Sequence, residues 1–372
     1  MTSTPLAPTG IGTAPARTAP TPSFGPKQPS CADRMLDRLS EDERVGQLLM
    51  VGTPIDEVDS MGSVIRQYHL GGVFLAGRSG RSAAGLRRDI AALAGPAGDV
   101  PVHVAVDQEG GRVQSLRGGD FPTFPAAVEQ GGWDPTTLET RTTDWARRLV
   151  ASGVTMNLGP VADTVPAELG RGNPPIGAFG RQFGAEPGAV ADDIVVVVDS
   201  TQAAGLLATL KHFPGLGRVL VNTDTSAGAI DPDTSERDPH LRPFAAGIGA
   251  NAGAVMMSSA SYPALDPQNI AAFSHPIVTG LLRGRLGFTG VVVSDDLGNA
   301  VAVRDVAVGT RAVRFVQAGG DLVLTVRRSD AAPMYDALRS ASRTSAAFRE
   351  RVADAARRIL ESKVRVGLLR CR

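Results

Sequence analysis

The chain has no excess of charge of either sign. Lys and Arg together count 38, Asp and Glu count 38, and the formal net charge is zero. Broad binding to nucleic acid or to an anionic membrane needs a surplus of cations, so neither partner is expected. No apolar run approaches the roughly 18 residues of a membrane-crossing helix, and no integral membrane segment is expected. The five histidines and two cysteines lack metal-ligand spacing, and neither a metal nor another cofactor is called for. Residues 1–30 have almost no large apolar side chains and are rich in Pro, Thr, Ala, Gly and Ser. Such a segment cannot bury enough surface to offset its ordering entropy and reads as a disordered tail. It has no continuous apolar core of a secretion signal. Its Pro/Thr-rich composition is that of stalks that precede secreted domains, so the expected location is outside the cell or in its envelope. Cys31 and Cys371 stand at the two edges of the remaining chain. They are either two unrelated thiols or a disulfide tying the domain ends together in an oxidising compartment.

From residue 31 to residue 372 the pattern is a regular alternation of short apolar segments and longer, more polar ones. Gly, at 43 residues, and Pro, at 26, fit many strand-to-helix turns. Ser40 and Glu43 have the spacing of a helix capping box. Strands are expected over 71–76, 102–106, 155–161, 206–210, 254–257, 291–293 and 321–326, while 45–51 reads as strand or helix end. Helical crossovers between them give an α/β chain with about eight buried strands, the count of a single (β/α)8 TIM-type barrel. A doubly wound open sheet is the runner-up. Against it, no Gly-rich dinucleotide fingerprint follows an early strand. Polar residues also follow many different strands, which suits a ring of loops better than one crevice. A last helix, over about 344–366, should pack outside the barrel.

The run Lys211-His212-Phe213-Pro214-Gly215-Leu216-Gly217 places a cation, an imidazole and a Pro-Gly turn at the end of a buried strand, where α/β barrels keep their chemistry. It resembles the KHFPGHG signature of glycoside hydrolase family 3, in its β-N-acetylhexosaminidase branch. Four further segments match that family in order. Asp107 to Gln114 is similar to DQEGGRV. Met156 to Asp163 resembles NLAPVADV. Asn173 to Gly184 resembles NPxIG…RSFG, and Leu282 to Leu297 resembles LRxxLGFxGVVxSDDL. The likeness runs from about residue 39 to residue 369 and covers the barrel domain of the family; a second sandwich domain is not expected.

The resemblance implies retaining hydrolysis of terminal β-linked N-acetylhexosamine, such as GlcNAc on cell-wall glycans or muropeptides, without a cofactor. It makes Asp295 the nucleophile, although an Asp at this place also serves well as a helix N-cap. Asp296 is then the capping or orienting group. Asp107, Arg181, Lys211 and His212 match positions that hold sugar hydroxyls, and a buried ion-pair network is the alternative use of the same side chains. Glu109 lies in a Gly-rich turn and is read as structural.

The pattern breaks at the acid/base. In this branch an Asp-supported His on the loop after the signature protonates the leaving group; here Asn222-Thr223-Asp224 stands there. The signature's own second His is Leu216, a substrate-contacting Arg is Ser115, and a His near the sixth strand is replaced by Ser258 or Ser259. His240 is read as a surface residue. Two readings follow. Asp224 acts as a direct carboxylic acid/base, or the chain is a carbohydrate-binding relative with impaired turnover. Activity on another β-linked sugar is a third, suggested by Ser115.

Overall fold

Short, β-branched apolar runs become strands buried on both faces, as a parallel sheet covered by helices requires. The structure, a computed structural model, describes residues 29–370. Its eight principal strands are β1 (Leu49–Pro54), β2 (Gly72–Ala76), β3 (His103–Val106), β4 (Met156–Asn157), β5 (Leu207–Phe213), β6 (Ala254–Met257), β7 (Val291–Ser294) and β8 (Val323–Thr325). All neighbours pair in parallel, in the order β7-β6-β5-β4-β3-β2-β1-β8. A parallel bridge between Val293 and Leu322 joins the last pair and closes the ring. The result is the (β/α)8 barrel expected from the sequence.

The ambiguous stretch at 45–51 divides: helix runs to Gln47 and β1 starts at Leu49. The expected strand over 321–326 is shorter than its apolar run. Asp321 sits before it, where its carboxylate accepts the Val292 amide at 2.9 Å and the Arg283 guanidinium at 2.5 Å.

Two short helices, α1 (Cys31–Arg38) and α2 (Glu41–Gln47), precede the barrel, and the Ser40–Glu43 capping box opens α2. Among the crossover helices are α3 (Pro135–Ala151), α4 (Pro187–Ala203), α5 (Arg242–Gly249) and α6 (Val308–Ala318); α7 (Ala331–Thr344) and α8 (Ala346–Arg365) end the chain. Helix α8 packs on α1 and α2, as expected of the last helix. Of the described residues, no helix is long and apolar enough to cross a membrane. The tail as far as residue 28, and Cys371 of the expected Cys31 pairing, lie outside the described residues.

The two ends of the barrel are built differently. At the N-terminal end α8 lays a fully buried Lys363 against Gln47, with Nζ 2.6 Å from Oε1. Beside it the buried His103 ring lies 2.9 Å from Ser362 Oγ and 3.1 Å from Thr155 Oγ1. Burial pushes the Lys363 ammonium down to about 7, and burial with the nearby Lys363 charge pushes His103 down to about 3. At the C-terminal end the interior fills in layers from alternate strands. Phe74 of β2, Leu158 just after β4, Met256 of β6 and Leu324 of β8 form an apolar floor. Above it the odd-numbered strands deliver polar groups: Asp107 just after β3, Lys211 within β5 and Asp295 just after β7.

Candidate active site

A cavity of about 390 Å³ opens above that floor. Asp107, Arg181, Lys211, His212, Asp224 and Asp295 all line it, so the six residues singled out from the sequence come together in one place.

One wall is a buried ion-pair network. Lys211 Nζ lies 2.7 Å from Asp107 Oδ1 and 2.5 Å from Glu109 Oε1. The Glu109 carboxylate also takes two parallel bonds from Arg181, at 2.8 Å and 2.7 Å. Such bidentate, charge-assisted pairs fix side chains in both position and angle. Burial alone would raise the Glu109 carboxyl, but Arg181 and Lys211 outweigh it and hold it down at about 2. Burial likewise works against the Lys211 charge; Asp107 and Glu109 win, and the ammonium titrates above its usual range. Glu109 thus has the structural place read for it: it is the hub that aims two cations into the cavity. A glycine explains how its turn fits. A Cβ on Gly110 would stand 2.2 Å from the Pro125 carbonyl oxygen, and its φ is 102°.

His212 is held from behind by Asp163, which is completely buried. Asp163 Oδ2 lies 2.7 Å from His212 Nδ1, and its two oxygens accept the His212 amide at 3.2 Å each. Oδ1 also takes the Leu216 amide at 2.8 Å. The ring's other nitrogen faces Arg181 at 3.3 Å. Asp163 was not among the expected site residues, though its place at the end of the β4 segment was a visible signal.

The opposite wall carries the carboxylates. Asp296 is consumed by backbone: its oxygens accept the amides of Gly298 at 2.9 Å and Asn299 at 3.2 Å in its own loop and of Val326, just after β8, at 3.0 Å. Asp295 accepts only the Asp296 amide, at 2.8 Å, among the described residues, and its carboxylate is left to the cavity. Burial and the negative charge of Asp224 push Asp295 up to about 6, against the opposing pull of His212 and Lys211.

Asp224 stands on the loop after β5, exposed but reaching the same cavity. An Asn222 turn shapes its backbone, with the Asp224 amide 2.9 Å from Asn222 Oδ1. Its carbonyl accepts the Val301 amide at 3.3 Å and that of Thr223 accepts Ala302 at 3.2 Å. The loop tip is therefore clipped to the segment that follows Asp295.

The other departures from the family pattern fall quiet. Leu216 is buried and adds an apolar patch to the lining. Ser115 is buried outside the lining, with its amide on the Asp107 carbonyl at 3.2 Å. Ser258 is occupied by the Tyr262 hydroxyl at 3.0 Å and the Ala260 amide at 2.9 Å. His240, expected on a polar surface, instead lies half-buried, 3.2 Å from Arg218 and 2.9 Å from Asp238. The difference arises because Arg218 draws polar groups from twenty residues downstream into one cluster.

A closed barrel with carboxylates facing sugar-sized space above its C-terminal end is the layout of a glycosidase. Residues 40–362 match Glycosyl hydrolase family 3 N terminal domain, and the chain belongs to that family. A beta-hexosaminidase of Stenotrophomonas maltophilia (strain K279a) is 39% identical over 244 residues, 63% of this chain and 70% of that protein. Among solved structures, a beta-N-acetylhexosaminidase from Beutenbergia cavernae is 44% identical, with 88% of this chain and 99% of that chain covered and a TM-score of 0.83. A family 3 beta-N-acetylglucosaminidase from Paenibacillus shares 32% identity over 90% of this chain and 64% of that one, with a TM-score of 0.82.

Proposed function

We propose that the protein removes terminal β-linked N-acetylhexosamine with retention, with Asp295 as nucleophile and Asp224 as acid/base. The observation that carries this reading is that both carboxylates line one cavity, close enough for the charge of Asp224 to raise Asp295. Relatives named for hexosaminidase activity support the sugar. In the first step the Asp295 carboxylate attacks the anomeric carbon, the glycosidic C–O bond breaks, and the Asp224 carboxyl gives its proton to the departing oxygen. In the second step Asp224 takes a proton from water, the water oxygen attacks the same carbon, and Asp295 leaves. His212 and Lys211 favour the ionised form of Asp295 meanwhile. Asp107, Lys211 and Arg181 are placed to hold the sugar hydroxyls.

The test is release of nitrophenol from β-GlcNAc and β-glucose aryl glycosides, with Asp295→Asn as control. GlcNAc turnover that falls about 10³-fold or more in the variant is expected. Turnover of the glucoside alone would keep the mechanism and change the sugar. Binding of glycan without turnover of either would leave a carbohydrate-binding relative.

The same proposal places the enzyme outside the cell or in its envelope, acting on cell-wall fragments; the composition of residues 1–30 supports this. Two reactive thiols in undenatured, unreduced protein would count against the oxidising compartment.

A further inference from the structure

The loop that carries Asp224 begins and ends on one guanidinium. Arg218 follows the Pro-Gly turn of the signature, and its side chain is largely buried. Its Nε lies 3.2 Å from Asp231 Oδ2. One terminal nitrogen reaches Asp238 Oδ2 at 2.6 Å and Thr234 Oγ1 at 2.5 Å; the other lies 3.2 Å from His240 Nδ1. Asp231 is itself locked. Its Oδ1 accepts the amides of Asp233 at 2.9 Å and Thr234 at 3.1 Å, and Thr234 Oγ1 donates to Oδ2 at 2.6 Å. Asp238 caps the turn that leads into α5.

Each end has a second anchor. The start is held by buried Asn173, whose Nδ2 donates to the carbonyls of Leu216, Gly217 and Val219 at 2.9, 3.1 and 2.9 Å. The end is stitched to Ser261, which takes the Asp231 amide at 3.0 Å and donates its own to Ala229 at 2.8 Å. Between these anchors the strap is mostly exposed, with Leu220 at 61% and Ile230 at 48%. Val221 packs against the core and Thr223 is buried, but the Asp224 side chain itself is exposed. The two ends and the clip to Val301 and Ala302 hold its backbone along with these contacts.

We propose that Arg218 is a positioning residue for the acid/base, the clasp that sets the reach of the Asp224 strap across the cavity. The proposal rests on the reading of Asp224 given above. Arg218 lines no part of the cavity itself and acts only through the strap. Its planar fork engages Asp231, Thr234 and Asp238 together, which a lysine's single ammonium cannot do. General acid catalysis depends on reach to within a hydrogen bond of the leaving oxygen. A loosened strap should therefore cost most where the leaving group needs a proton and little where it does not.

The experiment compares kcat/KM of Arg218→Met, Arg218→Lys, Asp231→Asn and Asp224→Ala on two β-GlcNAc glycosides, one with an alkyl and one with a dinitrophenyl leaving group. The Arg218 variants are expected to lose about 10- to 100-fold on the alkyl glycoside and to stay within about 3-fold on the dinitrophenyl one. Asp231→Asn should show the same selectivity on a smaller scale, and it carries the test if Arg218→Met fails to fold. If Asp224→Ala is selective but the Arg218 and Asp231 variants lose both substrates alike, or neither, the positioning role is overturned alone. If Asp224→Ala itself shows no selectivity, the acid/base reading falls and this proposal with it.

Discussion

The two walls of the cavity are held by different means. The wall of Asp107, Glu109, Lys211, Arg181, His212 and Asp163 is tied by bonds between side chains, most of them buried; all but Arg181, which comes from the long loop before α4, stand on or soon after barrel strands. The wall of Asp224 is an exposed strap whose position comes from backbone bonds and a distant clasp. The first kind of wall is bound up with the barrel core; its parts cannot change without leaving a buried charge alone. The second carries its side chains on exposed backbone, where a residue such as Asp224 can be exchanged without disturbing the fold. On the proposed mechanism, recognition would then be built into the stable part of the molecule and proton transfer into the adjustable part.

The sharpest way to break this comparison is to remove the carboxyl from the strap. Asp224→Asn should lower kcat about 10²- to 10⁴-fold on glycosides with poor leaving groups, the usual share of general acid catalysis. It should spare the dinitrophenyl glycoside. Because the side chain is exposed, stability should change by no more than about 0.5 kcal/mol. Equal loss on both substrates would place the acid/base elsewhere.

The opposite result is expected from the buried wall. Glu109→Gln keeps shape and removes charge, leaving Arg181 without its bidentate carboxylate and Lys211 with Asp107 alone. Breaking a buried pair from one side costs about 3–5 kcal/mol. Urea or thermal unfolding should register the loss, and activity should fall on both substrates together. A variant as stable as the parent would show that the two walls do not differ in kind.

This contrast also explains how much was legible in the sequence. The barrel, its strand positions to within a few residues, and the six side chains converging on one cavity could all be read. The barrel follows from short buried runs that end in polar residues, a local pattern, whereas the six site residues came from the resemblance to the family's motifs. Asp163 lay at the end of such a run and could have been added to the site. The Arg218 cluster could not be read in this way. It joins residues 218, 231, 234, 238 and 240 through loop conformation alone, with no period and no apolar spacing to announce it, so His240 read as surface. The register of the Asp224 strap against Val301 is hidden for the same reason.

A smaller effect is expected in the pH dependence. Asp295 is pushed up to about 6, first by burial and then by Asp224. As the proposed nucleophile Asp295 must work ionised, so kcat/KM on the dinitrophenyl glycoside should rise as pH increases through about 6. Asp224→Asn removes the like charge while His212 and Lys211 still favour the anion, and the rise should move to lower pH. An unmoved limb would mean that the two carboxylates do not share one field.

The smallest effect concerns stability, and its sign follows from the same displaced titration. Asp295 titrates near 3.8 in the unfolded chain and at about 6 in the folded one. Below the lower value both states carry the proton, and the residue adds no pH dependence. As pH rises past it, the unfolded chain releases the proton first, and the folded state becomes relatively less stable until it too ionises above 6. At pH 7 the ionised Asp295 carboxylate is therefore a burden on the fold, in contrast to Glu109, whose depressed titration marks a charge the fold favours. Asp295→Asn removes that burden while keeping the bond from the Asp296 amide. It should raise the melting temperature by a few degrees at pH 7 and by progressively less as pH falls towards 4, with both proteins scanned across that range. A variant that melts lower than the parent at pH 7 would show that Asp295 is stabilised by partners other than the cavity it faces.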